Sequence, residues 1–145
     1  MRLGEIAKHP VVDLSTATTV GQLGQAVVDG RNRRVAGFTL RKATPSGDWL
    51  AWERLSALGP DAATVADPSA VAEPDEHQRA LADATRSMLK RRVLSEWGEE
   101  LGPLVDVEFD PATGALTQLH LGDGTVLPAD RLLGVGRYAT VVAGT

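Results

Sequence analysis

Val20–Leu40, VGQLGQAVVDGRNRRVAGFTL, and Leu101–Leu121, LGPLVDVEFDPATGALTQLHL, superpose without a gap when the chain is shifted by 81 positions. Gly21 falls on Gly102, Leu23 on Leu104, Asp29 on Asp110 and Leu40 on Leu121. Apolar character matches beyond the identities: Val28 meets Phe109, Val35 meets Leu116 and Phe38 meets Leu119. Further along, a shift of 77 lays Trp49–Val65 on Val126–Val142. There Leu50/Leu127, Arg54/Arg131, Leu55/Leu132, Gly59/Gly136, Ala62/Ala139 and Val65/Val142 are identical. The change of shift falls in one loop, long at Lys42–Asp48 and short at Gly122-Asp123-Gly124, and exposed turns are where length changes are tolerated. The chain reads as two copies of one unit.

The second copy shows what that unit is. Val105, Val107 and Phe109 alternate with Asp106, Glu108 and Asp110, a period of two that predicts a strand with Val105, Val107 and Phe109 on its buried face. Asp110-Pro111-Ala112-Thr113-Gly114 follows: Pro presets φ for a turn and Gly accepts the positive φ that closes it. A strand over about Ala115–Leu121 places Leu119 and Leu121 inward and His120 outward. Asp123-Gly124 predicts a tight hairpin. Thr125–Leu127 is then a strand, Pro128–Leu132 a short helical turn, and Leu133–Val142 one last strand; Arg92–Ser95 opens the copy and Trp97-Gly98 is a turn. The first copy follows in the same order, with strands near Val11–Leu14, Val20–Val28, Arg34–Arg41, Trp49–Ala51 and Ala62–Val65, and a helical turn at Glu53–Ala57. Short strands between turn signals predict a small closed barrel, whose closure satisfies edges that would otherwise pair with other chains.

Between the copies, Ala66–Glu73 is rich in Ala, Pro, Asp and Glu and reads as a linker. Asp75–Lys90 has helical spacing at His77, Leu81, Ala84 and Met88, acidic residues at its start and basic ones at its end. The fold expected is therefore mainly β: two small β-barrels in tandem joined by a linker and one α-helix, with residues 1–72 the first barrel, 73–91 the linker helix and 92–145 the second. A unit of about 60 residues buries only about 60% of its unfolded surface. Either the two barrels pack against each other, or the chain forms a homodimer.

Composition narrows the function. The 145 residues are 43% hydrophobic, too apolar for a disordered chain, and the absence of cysteine excludes disulfides, thiolate metal sites and thiol nucleophiles. A net charge of −4 removes the bulk attraction to nucleic acid. The first six residues lack the apolar run of a signal peptide, and no stretch approaches the ~20 apolar residues of a membrane span. A cytoplasmic protein without direct membrane insertion is expected.

Val11-Val12-Asp13, Val20–Gly24 and Asp29–Gly37 together resemble the opening of a PRC-barrel domain, and Trp52–Ala62 resembles that family's closing segment. Glu96–Gly102 and Asp106–Asp110 repeat the resemblance. The matches cover most of the chain outside the linker helix. The resemblance implies a small β-barrel used as a docking module, with no shared catalytic residues. Relatives serve in the cytoplasmic part of a photosynthetic reaction-centre subunit and in a ribosome maturation factor; the membrane helix of the one and the amino-terminal domain of the other are not found here.

No constellation of reactive groups stands out. His9, His77 and His120 lie in a loop, a helix and an outward strand position without metal-ligand spacing, and no nucleophile elbow or phosphate loop is present. Asp106, Glu108 and Asp110 on one face suit a solvated strand as well as a cation. No catalytic residue, metal or cofactor is expected. The basic run Arg31-Asn32-Arg33-Arg34 sits at a hairpin tip whose repeat partners, Ala112–Ala115, are uncharged, so the fold does not need its charge. Arg31, Arg33 and Arg34 are candidates for gripping a protein partner, with RNA phosphates the alternative. Residues 1–72 carry eight basic and seven acidic side chains (+1), residues 73–145 seven and twelve (−5), a contrast that suits attraction between halves in a dimer and separate partners equally. Trp97, in a turn, is either a contact hot spot or a cover for the neighbouring barrel or helix, and packing is expected for Trp49, Trp52 and Trp97 alike. The function expected is a non-enzymatic protein-interaction or assembly module with an unidentified protein partner. A ribosome-associated factor and a small-molecule site between the barrels are the alternatives.

Overall fold

The computed structural model describes residues 1–42 and 46–144; the centre of the long loop expected at Lys42–Asp48 lies outside the described residues. The first half contains β1 (Pro10–Asp13), β2 (Thr18–Asp29), β3 (Arg34–Arg41), β4 (Trp49–Ala51), β5 (Leu55–Leu58) and β6 (Ala63–Val65). After β7 (Val71–Ala72) and α1 (Glu76–Thr85) the second half runs β8 (Arg92–Ser95), β9 (Glu100–Phe109), β10 (Leu116–Leu121), β11 (Val126–Pro128), β12 (Leu132–Val135) and β13 (Thr140–Val142). The fold is mainly β, with two sheets, one of them curled into a half-barrel, and one helix.

The two sheets have the same wiring. One is ordered β5-β6-β1-β2-β3-β4, with β7 added at the end; the other is β12-β13-β8-β9-β10-β11. In each half the first strand pairs parallel to the last: Val11 lies opposite Ala63 and Val93 opposite Thr140. Individual hydrogen bonds repeat. Lys8 N–H donates to Leu23 O at 2.8 Å and Lys90 N–H to Leu104 O at 2.5 Å; Leu40 N–H donates to Asp48 O at 2.8 Å and Leu121 N–H to Thr125 O at 2.9 Å.

Several sequence expectations need correction. The last strand expected over Leu133–Val142 is two strands, because Gly136 turns the chain: its N–H bonds Ala139 O at 3.1 Å, as Gly59 N–H bonds Ala62 O at 2.9 Å ahead of β6, which lies where Ala62–Val65 was expected. The helical turn expected at Glu53–Ala57 covers only Trp52–Arg54, after which β5 begins. Ala66–Glu73 is no free linker, since Asp67 caps a single 3-10 turn and β7 pairs with β4. The helix stops at Thr85 rather than Lys90, as Ser87 and Lys90 take left-handed conformations at φ 57° and 79°. Val107 and Phe109 are buried as expected, but Val105 is exposed and Leu104 buried, so the alternation read from the sequence breaks at the start of the strand. A register shift between His120 and Leu121 against β9 reverses the phase, as a bulge does. The first half has the same irregularity between Leu23 and Ala26. Finally, no ladder among the described residues joins the end strands of either sheet, so neither closes through its own hydrogen bonds.

The two halves meet through strands inside each sheet rather than along its open edges. Arg34, at the start of β3, pairs antiparallel with Ala115, just before β10, and these residues are 81 apart, the repeat shift itself. Val35 N–H donates to Gly114 O at 2.8 Å, and Leu116 N–H donates to Arg33 O at 2.9 Å. Each bond becomes the other when the halves are interchanged. That reciprocity is what a two-fold rotation produces, as in an isologous dimer. The segments leading into each half also cross over. Met1 O accepts from Phe109 N at 2.8 Å and Gly4 N–H reaches Asp106 Oδ1 at 3.2 Å on β9, whereas α1 lies against β2, with Gln25 Nε2 3.4 Å from Thr85 Oγ1. Gln25 and Asp106 are again 81 apart. Trp52 bridges the halves, 6.1 Å from the Phe38 ring and 6.2 Å, edge-on, from Phe109. Most of the buried apolar residues form one cluster drawing on both halves, from Ile6 to Val142. Of the two arrangements left open by the sequence, packing of the halves on each other is the one present within the chain.

Candidate functional site

The hairpin tip of the first half carries the basic run, and its residues serve different ends. Asp29 organises the turn, its carboxylate accepting from the N–H groups of Arg31 at 3.1 Å and Asn32 at 3.2 Å, as short acidic side chains do in turns. Arg33 takes a left-handed conformation at φ 54°, and its Nε donates to Leu132 O at 2.9 Å in the other half. Arg34 lies 3.4 Å from Glu53 Oε1 and sits at the two-fold pairing. Arg33, exposed, and Arg34, half-buried, are thus tied into the seam between the halves as well as standing at the tip. Arg31 is exposed, and among the described residues its guanidinium has no partner.

The candidate metal and acid–base groups are engaged similarly. Asp106 accepts from Gly4 N–H and from its neighbour Val107 N–H at 2.8 Å. Glu108 Oε1 lies 3.5 Å from Arg2 Nε and 3.3 Å from His120 Nε2, the latter without hydrogen-bond alignment. Asp110 accepts from Ala112 N–H at 2.8 Å within its turn. Among the described residues no three His, Asp or Glu side chains converge on a metal-sized space. His9 and His77 stand apart from this group, His77 exposed on α1.

Three carboxylates have their pKa lowered from the ordinary value, each where a strand or loop enters a turn. The Ser15 hydroxyl does this most strongly for Asp13, the Ser69 hydroxyl for Asp67 and the Thr125 hydroxyl for Asp123. The Asp13 carboxylate, buried at the end of β1, accepts from Ser15 N–H at 2.8 Å, Ser15 Oγ at 2.7 Å and Thr16 Oγ1 at 2.8 Å. At the matching strand end Ser95 does the same work with a hydroxyl, accepting from Trp97 N–H and Glu99 N–H, each at 3.2 Å. These are fold-defining bonds rather than a poised acid–base pair.

A half-open cleft of about 290 Å³ lies where the two leader segments meet β2, lined by Leu3, Ala7, Ala26, Met88 and Leu89 with Gln25 as its polar neighbour. A second candidate surface lies on the outer half. Trp97 is 73% exposed and Tyr138 70%, whereas Trp49 is buried and Trp52 packs between the halves. Packing was expected for Trp97; instead the turn held by Ser95 leaves it largely exposed, with Gly144 against its indole. Tyr138 was not singled out in the sequence. It lies under the Arg92 guanidinium, 4.8 Å from ring centre to Cζ, and Arg92 also pairs with Glu100 at 3.3 Å. Arg92 opens β8 and Trp97 lies two residues past its end, so the aromatics flank one strand.

The duplicated fold supplies an internal control for these residues. The pairing Val11–Ala63 and Val93–Thr140 sets Ser15 opposite Trp97 and Asp61 opposite Tyr138. One half folds with a serine and an aspartate where the other has a tryptophan and a tyrosine. The alignment of Asp61 with Tyr138 was available in the sequence and was the signal for it. No family model and no curated protein sequence matches this chain.

Proposed function

We propose that the chain is a non-enzymatic protein-interaction or assembly module, built from two repeated units of the PRC-barrel type, which docks a protein partner through the β8 side of its second half. The observation that carries the reading is the exposure of Trp97 and Tyr138 at positions where the repeat tolerates serine and aspartate. The fold does not need those rings, and exposed aromatics beside a charged residue such as Arg92 are what protein contacts are made from. Two identically wired sheets support the repeated-unit reading, with the refinement that the hairpins of the two units pair with each other. The acidic candidates Asp106, Glu108 and Asp110 are engaged by neighbouring groups, which favours a surface over a cleft for the work. Arg31, exposed at the tip, would contribute a charge to a partner most freely of the basic run.

The test is affinity capture from the native cell with the full chain against Trp97→Ser and Tyr138→Asp, each substitution importing the residue the other half already carries. Both variants should keep wild-type thermal stability and lose the wild-type partner. A partner retained by the double variant, or no partner enriched by the wild type, would overturn the proposal.

A further inference from the structure

The seam between the halves is self-complementary, and we infer that it is a dimerisation surface whose fitting partner is a second copy of this chain. The copy would be taken up by exchange of halves. Hairpin β2–β3 of one chain would meet hairpin β9–β10 of the other, and Met1–Ile6 of one would lie on β9 of the other. Three observations lead here. The first is the reciprocal pair of bonds around Arg34 and Ala115, which a dimer of single units would form between identical hairpins. Secondly, the leader of each half lies on the long strand of the opposite half, so each unit is incomplete alone and any assembly must bring both kinds of half together. The third is the hinge. β7 pairs within the first sheet and α1 packs on β2, so only residues 86–91 need change course for the second half to leave. That segment holds two non-glycine residues in the left-handed region, Ser87 at φ 57° and Lys90 at φ 79°. Short strained hinges favour exchange, because extension relieves the strain while every other contact is remade.

Since the exchanged dimer and the monomer make the same contacts, concentration decides between them. A short tether holds its own half at an effective concentration on the order of 1 mM, so chains refolded at about 10 µM stay monomeric and those refolded near 1 mM become substantially dimeric.

The chain has no cysteine, so two introduced thiols report the geometry without background. Arg34 and Ala115 are flanked rather than joined by their hydrogen bonds, the arrangement that brings side chains of an antiparallel pair closest. The full-length double variant Arg34→Cys/Ala115→Cys should form an internal disulfide after dilute refolding. Full-length Arg34→Cys and Ala115→Cys chains, mixed unfolded and refolded near 1 mM, should form a covalent heterodimer at least ~10-fold more abundant than after refolding at about 10 µM. Three results would each overturn the inference: an internal disulfide with no heterodimer, equal cross-linking of Arg34→Cys to itself, or no disulfide even in the double variant.

Discussion

Gly114 offers the sharpest test of how the halves meet. It closes the β9–β10 turn at φ 81°, and a methyl group there would stand 2.9 Å from Cε2 and 3.0 Å from Cδ2 of Trp52 in the other half. Gly114→Ala therefore incurs two costs: left-handed backbone with a Cβ, about 1–2 kcal/mol, and overpacking against a ring held between Phe38 and Phe109, about 1–3 kcal/mol. Gly124 separates them. Its φ is 91°, yet a Cβ there meets nothing within 4 Å, so Gly124→Ala costs the backbone part alone. In equilibrium urea unfolding with unchanged m-values, Gly114→Ala should be destabilised by about 1–3 kcal/mol more than Gly124→Ala. In a Trp52→Ala background that excess should vanish, because the ring that the methyl would strike is gone. Equal costs for the two glycines in the wild-type background, or an excess that survives removal of Trp52, would refute the packing of Trp52 across the seam.

Three further outcomes follow from the same structure. Leu104→Ala should cost about 2–5 kcal/mol and Val105→Thr less than about 0.5 kcal/mol by chemical denaturation, and similar costs would place the β9 bulge elsewhere. Phe109→Ala should cost about 3–5 kcal/mol and lower the unfolding midpoint of both sheets together, since the core is continuous; a second, unshifted transition would contradict that. Asp13→Ser should melt higher than Asp13→Ala, because Ser95 shows that a hydroxyl can hold this turn. Asp13 is held below its ordinary 3.8, so its stabilisation is complete above that pH and lost as pH falls through the folded value. The melting gap between wild type and Asp13→Ser should therefore close on acidification below 3.8, and a gap independent of pH would remove the carboxylate from the account.

What the sequence revealed was local chemistry with strict demands. Asp110–Gly114 and Asp123-Gly124 were legible as turns because each needs a positive φ that few residues accept, and the glycines stand there at 81° and 91°. Arg92–Ser95 was legible as a strand from its apolar centre between turns. Three- and four-residue strands such as β5 and β12 are too short to show a period, so β12 and β13 ran together as one strand. Val107 and Phe109 were placed inward correctly on β9, and Val105 was misplaced because a bulge shifts alternation without changing composition. The basic run was legible as charge but not as seam. Arg33 is used for a left-handed turn and a bond to Leu132 O, and such a contact, 99 residues away, leaves no local trace. Trp97 was placed in its turn correctly, yet its outward direction depends on Ser95 and on the path of the strand, which only the fold determines.

If the halves form one body joined at its two-fold seam, the amides of Val35 and Leu116 are interior hydrogen bonds rather than loop contacts. Native-state hydrogen exchange of these two amides should match that of core positions such as Leu104 and Leu119, released only by global unfolding. Exchange of either at the rate of an exposed turn, while Leu104 and Leu119 stay protected, would mean that the halves are separable and that the seam does not hold the fold together.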